Sequence, residues 1–520
     1  MRVRHLIVLV AAQLAAASLF LWDAGPGFPL DDTWIHMVYA RALMAGEGFA
    51  YNPGQLETGV TAPLWTGLLG LPVALADALG QRPDLFVRVL GGLTGLALAL
   101  AGYRLALRAG PLPALCAGLA LSLDPQLVFD RFSGMEQPLF GLLTLLLVDT
   151  LIDHKHKRVG LVAGALVLAR PEGLVLAGLA ALWLGRRRLA SLPPMLLIMG
   201  LVLAPWLAYC QLVSGLPWPS TFETKAGLVL DPLAIWNALV AVLRDTGWGL
   251  ALPLAAVVGA YVLDGGRHGL GRLSLGCAAL LLPAVLLSRP LELHGDSGVV
   301  PYYWARYVLL AWPLLVLLMG IGVCSLLRTA FAGTRCRPLY ASLLIGPSLL
   351  LLLLARGLPA QAVSLRARFA AQCRDTETLN VAAGLWVAEH LPPGALVAAH
   401  DAGAIRFFGE RPLLDLWGNH SRGLTRALAQ GGEAGAAEWL GQQQPDALVV
   451  FPALYASGHS PELKQLWAEL PPQDFAALMQ RVDDYASFFG LTQRVATFHV
   501  DAPATIPSPL HADMAIFVAP

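Results

Sequence analysis

Long apolar runs, broken by short polar segments, fill the first two-thirds of the chain. They lie near residues 6–22, 85–103, 112–124, 135–152, 159–170, 172–184, 193–211, 246–263, 273–288, 304–323 and 339–355. Runs of this kind predict helices that are apolar on every face, and such helices belong in a protein core or a membrane. A bilayer crossing takes about 20 apolar residues. Some of the runs are short for that, and together they give about 11 spans.

The pattern changes after residue 357. Pro392-Pro393-Gly394 marks a turn, and Ala395–His400 then reads as a buried strand. Pro412–Trp417 and Ala447–Phe451 repeat that pattern, with a helical stretch at 433–442 between them. Val495–Val500 and Met514–Val518 add two strands. The alternation predicts a small α/β domain with a partly parallel sheet. The expected organisation is a helical membrane domain over 1–356 and an α/β domain over 357–520.

Charge then sets the orientation. The basic clusters are Arg2/Arg4, Arg104/Arg108, residues 154–158, Arg186-Arg187-Arg188, Arg267/Arg272 and Arg328/Arg335/Arg337. With the runs numbered in order, every cluster falls on the N-terminal side, which the positive-inside rule makes cytoplasmic. The expected protein is a polytopic α-helical protein of the cytoplasmic (inner) membrane, with its α/β domain extracytoplasmic. The first run is read as an uncleaved anchor. Residues 61–80 are apolar but contain Pro63, Pro72 and Asp77. If they spanned, Arg104/Arg108 would move outside, so they are expected to lie in the interface. Residues 33–46 read as a second short amphipathic helix.

Composition agrees with a membrane protein. Hydrophobic residues make up 56% and charged residues 13% of 520 positions, against about 25% charged in soluble domains. A net charge of +0 gives no electrostatic case for nucleic acid. The six cysteines show no zinc-type spacing and read as small packing residues.

In this topology the polar residues with chemical potential collect on the outer side. They are Asp31-Asp32, Glu136, Arg170, Glu172, Lys225, Arg306 and Tyr307, with His36 on the helix that follows the acid pair. Each also has a plain structural reading. The acid pair would cap the helix starting near Thr33. Glu136 would cap the one starting at Gln137-Pro138. Arg170 and Glu172 would form an ion pair at a helix junction, Lys225 would snorkel, and Arg306 would belong to an aromatic belt. Acids beside a bilayer are costly unless they serve a purpose, which favours the functional reading of Asp31-Asp32.

The segment Asp31-Asp32-x-x-Ile35…Tyr39-Ala40-Arg41, followed by Phe49–Gly54 and Glu57–Trp65, resembles bacterial C-type (GT-C) glycosyltransferases. The branch it most resembles is the mycobacterial terminal arabinofuranosyltransferase group. Ser133–Glu136, Arg170–Gly173, Arg306-Tyr307, His400–Ala404 and Asp415–Gly418 are similar to later landmarks of the same group. Thr33–His36 and Pro217–Thr221 depart from its usual runs.

The resemblance implies a first external loop, residues 23–84, that carries a catalytic acid flanked by interfacial helices. It also implies a polyprenyl-phosphate sugar donor entering from the membrane lipid, with no nucleotide cofactor. The acceptor would be an envelope glycan, lipid-linked saccharide or protein.

In such a reaction the leaving phosphate needs cations, for which Lys225, Arg306 and Arg170 are candidates. The acceptor hydroxyl needs a base. By analogy with the group, that base is Asp31, with Asp32 orienting it or binding metal. If the anomeric configuration is retained, the carboxylate instead acts as nucleophile or stabilises an oxocarbenium ion. Asp31, Asp32 or Glu136, with the donor phosphate, are also suited as oxygen ligands to a divalent cation such as Mg, Mn or Ca. Two rival readings are a lipid-linked-sugar transporter or flippase, and a non-catalytic membrane scaffold.

Overall fold

The structure, a computed structural model, describes residues 3–153, 155–220, 251–264, 269–288, 309–332, 360–451, 485–501 and 512–520. It divides into two compact units. One comprises Met1–Asp23, Val87–Pro205 and Gly227–Phe369; the other comprises Ala24–Phe86, Trp206–Ala226 and Ala370–Pro520. Residues 24–86 thus fall in the same unit as the α/β part.

Among the described residues, three helices are long and apolar enough to cross a bilayer: Val3–Leu21, Asp84–Ala109 and Leu189–Ser214. Pro111–Leu123 and Pro125–Phe132 are bent by 54° and add a fourth crossing if they act as one. The bend has a local cause. Pro125 has no N–H to donate, and the Asp124 carboxylate accepts from Gln126 N at 3.1 Å and Leu127 N at 3.0 Å, starting a new helix. The Trp312 indole also donates to Asp124, at 3.0 Å. The apolar run at 339–355 and part of that at 246–263 lie outside the described residues.

Helix packing in the first unit is close. A side chain on Gly259 would stand 1.8 Å from the Leu318 carbonyl oxygen, so the helices Ala251–Asp264 and Trp312–Ala332 meet only because that position is glycine. The helix Val3–Leu21 is joined to its neighbours in this unit by polar groups. His5 Nδ1 shares a hydrogen bond of 2.9 Å with the Tyr103 hydroxyl, and Gln13 donates to Gly95 O at 3.2 Å. The buried Arg131 guanidinium reaches Gln13 Oε1, and donates to Ser122 O at 3.2 Å and Leu121 O at 3.1 Å.

The second unit holds the helix Asp32–Met44, a hairpin of β1 (Ala50–Asn52) and β2 (Gln55–Leu56), and the helix Pro63–Ala78. That last helix has 16 residues, about 24 Å at 1.5 Å per residue, short of a hydrocarbon core of about 30 Å. Trp65, Leu69, Val73 and Ala76 are buried, while Leu68, Leu71, Leu75 and Leu79 are exposed. One face is packed in the protein and the other exposes leucines.

The α/β part is a five-stranded mixed sheet of β3 (Val397–Ala399), β4 (Leu413–Asp415), β5 (Ala447–Val450), β6 (Gln493–His499) and β7 (Asp513–Val518). Its order is β4-β3-β5-β7-β6. β3 pairs in parallel with both β4 and β5, because the helices Ala402–Gly409 and Arg422–Gln442 carry the chain back between them. β7 is antiparallel to β5 and β6. Ala398, Leu414, Leu440, Leu448, Val450 and Phe517 are core residues of this sheet and its helices. All five expected strands are present. The expected helical stretch at 433–442 is longer, starting at Arg422, and is interrupted at Gly432, whose φ of +59° glycine accepts without strain.

Candidate functional site

The first loop and the α/β part of the second unit are joined through side-chain-to-backbone hydrogen bonds. Asn52 Nδ2 donates to Leu413 O at 2.9 Å, and Leu413 N donates to Asn52 Oδ1 at 2.8 Å. A side-chain amide carries the same donor–acceptor pair as a peptide unit, so Asn52 occupies the place of a strand neighbour beside β4. The Tyr51 hydroxyl donates to Ala402 O at 2.7 Å, and Arg406 Nε donates to Tyr51 O at 3.0 Å.

Asp31 stands at the centre of this contact. It is the residue preceding the helix Asp32–Met44, yet its side chain does not cap that helix. Instead Oδ2 accepts from Gly403 N at 2.7 Å and Oδ1 from Ala404 N at 2.8 Å. These amides belong to the first turn of the helix Ala402–Gly409, where backbone N–H groups lack intrahelical partners. Asp401 lies close by and accepts from Asn380 Nδ2 at 2.7 Å.

Burial, with Asp401 as the next cause, holds the Asp31 carboxyl well above the usual carboxylate range, against the opposing pull of the two amides. Burial likewise raises Asp401 to about 6, with Asn380 lowering it and Asp32 raising it. Asp31, Asp32 and Asp401 therefore form one electrostatic group. Low dielectric and like charge favour holding a proton there.

A second polar cluster adjoins β4. The Tyr39 hydroxyl shares a hydrogen bond of 2.9 Å with His420 Nδ1, and the His420 ring stacks on Tyr51 at 4.5 Å and 19°. Asp415 accepts from His420 N and Trp417 N, both at 2.8 Å, which fixes the turn after β4. Glu57 is 7% exposed. Burial raises its carboxyl to about 7, with Arg422 pulling it down.

His36 lies one helical turn beyond Asp32, and its Nδ1 shares a 2.8 Å hydrogen bond with Thr66 Oγ1, linking two helices of the unit. Glu136, Arg170 and Glu172 belong to the first unit and form a triad there. Arg170 Nη1 meets Glu136 Oε1, while Nη2 and Nε meet the two Glu172 oxygens at 2.9 and 3.2 Å. Two carboxylates thus share one guanidinium. Lys225, Arg306 and Tyr307 lie outside the described residues. Trp34 and Trp65 are fully buried among side chains.

Among the described residues there is no group of three or more His, Cys, Asp or Glu side chains placed to hold a metal ion. Asp31 already gives both oxygens to backbone N–H groups. No step below uses a divalent cation. The residues that sequence reasoning missed as a group are Asp401, Asn380, Gly403, Tyr51 and Glu57. Their signal was present, since several stand in segments 49–54, 57–65 and 400–404, which carry the family resemblance.

Comparison with known proteins places the fold. ArnT from Cupriavidus metallidurans bound to undecaprenyl phosphate superposes with a TM-score of 0.57 at 15% identity, covering 99% of this chain and 98% of that one. The apo oligosaccharyltransferase of Archaeoglobus fulgidus gives 0.59 at 11% identity, over 88% of this chain and 70% of that one. A complex of the latter enzyme with Zn and sulfate gives 0.53 at 13% identity, over 86% and 68%. The chain therefore has a GT-C-like fold. Residues 367–499 match a domain of unknown function, DUF8728. No curated protein matches in sequence, and nothing in these likenesses singles out the arabinofuranosyltransferase branch.

Proposed function

We propose that this chain is a glycosyltransferase that moves a sugar from a polyprenyl-phosphate donor to an acceptor hydroxyl or amide on the outer face of the cytoplasmic membrane. The observation that carries this reading is the cluster of half-buried carboxylates Asp31, Asp32 and Asp401, within a fold shared with two transferases. A carboxyl whose pKa is raised toward the working pH is suited to take a proton from an acceptor.

The acceptor oxygen or nitrogen gives its proton to the acid group and bonds to the anomeric carbon. The bond from that carbon to the donor phosphate oxygen breaks, and the phosphate leaves with the electron pair. It is a weak base and needs no proton, only positive charge. Lys225 and Arg306 are proposed for that task. Arg170 is a weaker candidate, because two carboxylates already share its charge.

The reading is tested by incubating the purified protein with candidate polyprenyl-phosphate sugars and membrane glycan extracts. A product heavier than the acceptor by one sugar residue supports it. Translocation of the labelled lipid without transfer would replace it with a transporter.

A further inference from the structure

We propose that the first unit binds a single buried water between Arg131 and Gln137. The water completes the polar junction through which the helix Val3–Leu21 is tied to the bent pair Pro111–Leu123 and Pro125–Phe132. The site stands apart from the reaction proposed above.

A cavity of about 10 Å³ lies among four helices of this unit, lined by Gly95, Leu127, Asp130, Arg131, Gln137 and Pro313 among others. About 10–15 Å³ of such space holds one water. A phosphate group or a sugar ring is several times too large for it.

Two of the lining side chains are almost wholly buried, Arg131 at 1% and Gln137 at 4% exposure. Three guanidinium N–H groups of Arg131 serve Gln13 Oε1, Ser122 O and Leu121 O. Its Nε has no acceptor among the described residues, and neither amide atom of Gln137 has a partner there. Gly95 keeps the side of Nε open, because a Cβ at that position would stand 2.0 Å from it.

Burying polar atoms without partners is costly, and a bilayer offers them no solvent. Here three such atoms sit on two side chains that border one small space. That pattern calls for a shared partner able both to donate and to accept. Water does both. Its oxygen accepts from Arg131 Nε, and one of its protons reaches Gln137 Oε1. With the amide turned over, Gln137 Nε2 donates to the water instead. Either orientation gives two bonds, within the two to four that a buried water makes. The helices that carry Gln13, Arg131 and Gln137 are then linked through one hydrated group, where direct contacts alone would link only the first two.

Two measurements on the full-length protein test the site. The first is a cryo-electron microscopy map of the wild type in lipid nanodiscs, at a resolution that shows ordered water. A peak about 2.7–3.2 Å from both Arg131 Nε and the Gln137 amide supports the proposal. The second is thermal unfolding of wild type and Gln137→Met in detergent. Methionine keeps the length of the side chain and removes both polar ends. With water bound, the variant loses a buried hydrogen bond and leaves the water a partner short. Its unfolding temperature should then fall by about 2–4 °C.

A dry site reverses the sign. Gln137→Met would then remove two unsatisfied polar atoms, and an unfolding temperature equal to or above that of wild type overturns the proposal. A map without the peak, or with Arg131 Nε bonded directly to Gln137, overturns it as well. If Gln137→Met does not accumulate, the wild-type map alone decides.

Discussion

Tyr39 and His420, 381 positions apart, share a buried hydrogen bond of 2.9 Å. One lies in the helix after the acid pair and the other in the turn after β4, and Tyr51 stacks on the same imidazole. Replacing Tyr39 by Phe keeps the ring and removes only the hydroxyl. The expected cost is about 1 kcal/mol of stability, read as a lower unfolding temperature in detergent. A variant as stable as wild type would show that the ring packing alone holds this contact.

Asn52 makes a larger contribution because it satisfies two backbone groups of Leu413 at once. Asn52→Ala should cost about 2–3 kcal/mol, and Asn52→Asp should be nearly as harmful, since a carboxylate cannot donate to Leu413 O. Protease sensitivity of the 49–56 hairpin is the direct readout. Equal resistance in all three proteins would remove Asn52 from the joint.

Glu57 gives the protein a pH dependence. Burial raises its carboxyl from an ordinary 4.5 to about 7, against the pull of Arg422. Between these values the folded state holds a proton that the unfolded chain has released. The contribution to stability is therefore complete below pH 4.5 and is lost as pH rises to about 7. Glu57→Gln should flatten that slope and stabilise the protein at pH 8 by at most about 3 kcal/mol. The check is thermal unfolding of both proteins at pH 5 and pH 8; parallel curves would refute it.

Arg170 serves two acids in the first unit, one of them, Glu136, 1% exposed. Arg170→Met leaves buried charge without its counterion, which costs about 3–5 kcal/mol. The variant should accumulate poorly and unfold early. The double variant Arg170→Met/Glu136→Gln should recover part of the loss. Normal yield and unfolding temperature in Arg170→Met would favour a contact with ligand over a structural triad.

Much of the fold was legible because it follows from local periodicity. Short apolar runs between turn residues placed all five strands of the sheet. The candidate site was legible in part. Asp31 and Asp32 stood out as adjacent acids next to an apolar anchor. His36 drew notice for its type, yet it joins two helices through Thr66. Trp34 and Trp65 are packed in the interior.

The segment His400–Ala404 was marked by its resemblance alone; local residue type and spacing do not tell that its turn receives the Asp31 carboxylate across 372 positions. The sequence by itself determined an apolar helical chain, its α/β tail and the acid pair, since these depend on residue type and spacing over a few turns. Only tertiary structure decided which amides bind Asp31, which strand Asn52 joins and which groups surround Glu57. Those choices come from close packing of distant segments, where single hydrogen bonds select one arrangement among many of similar composition.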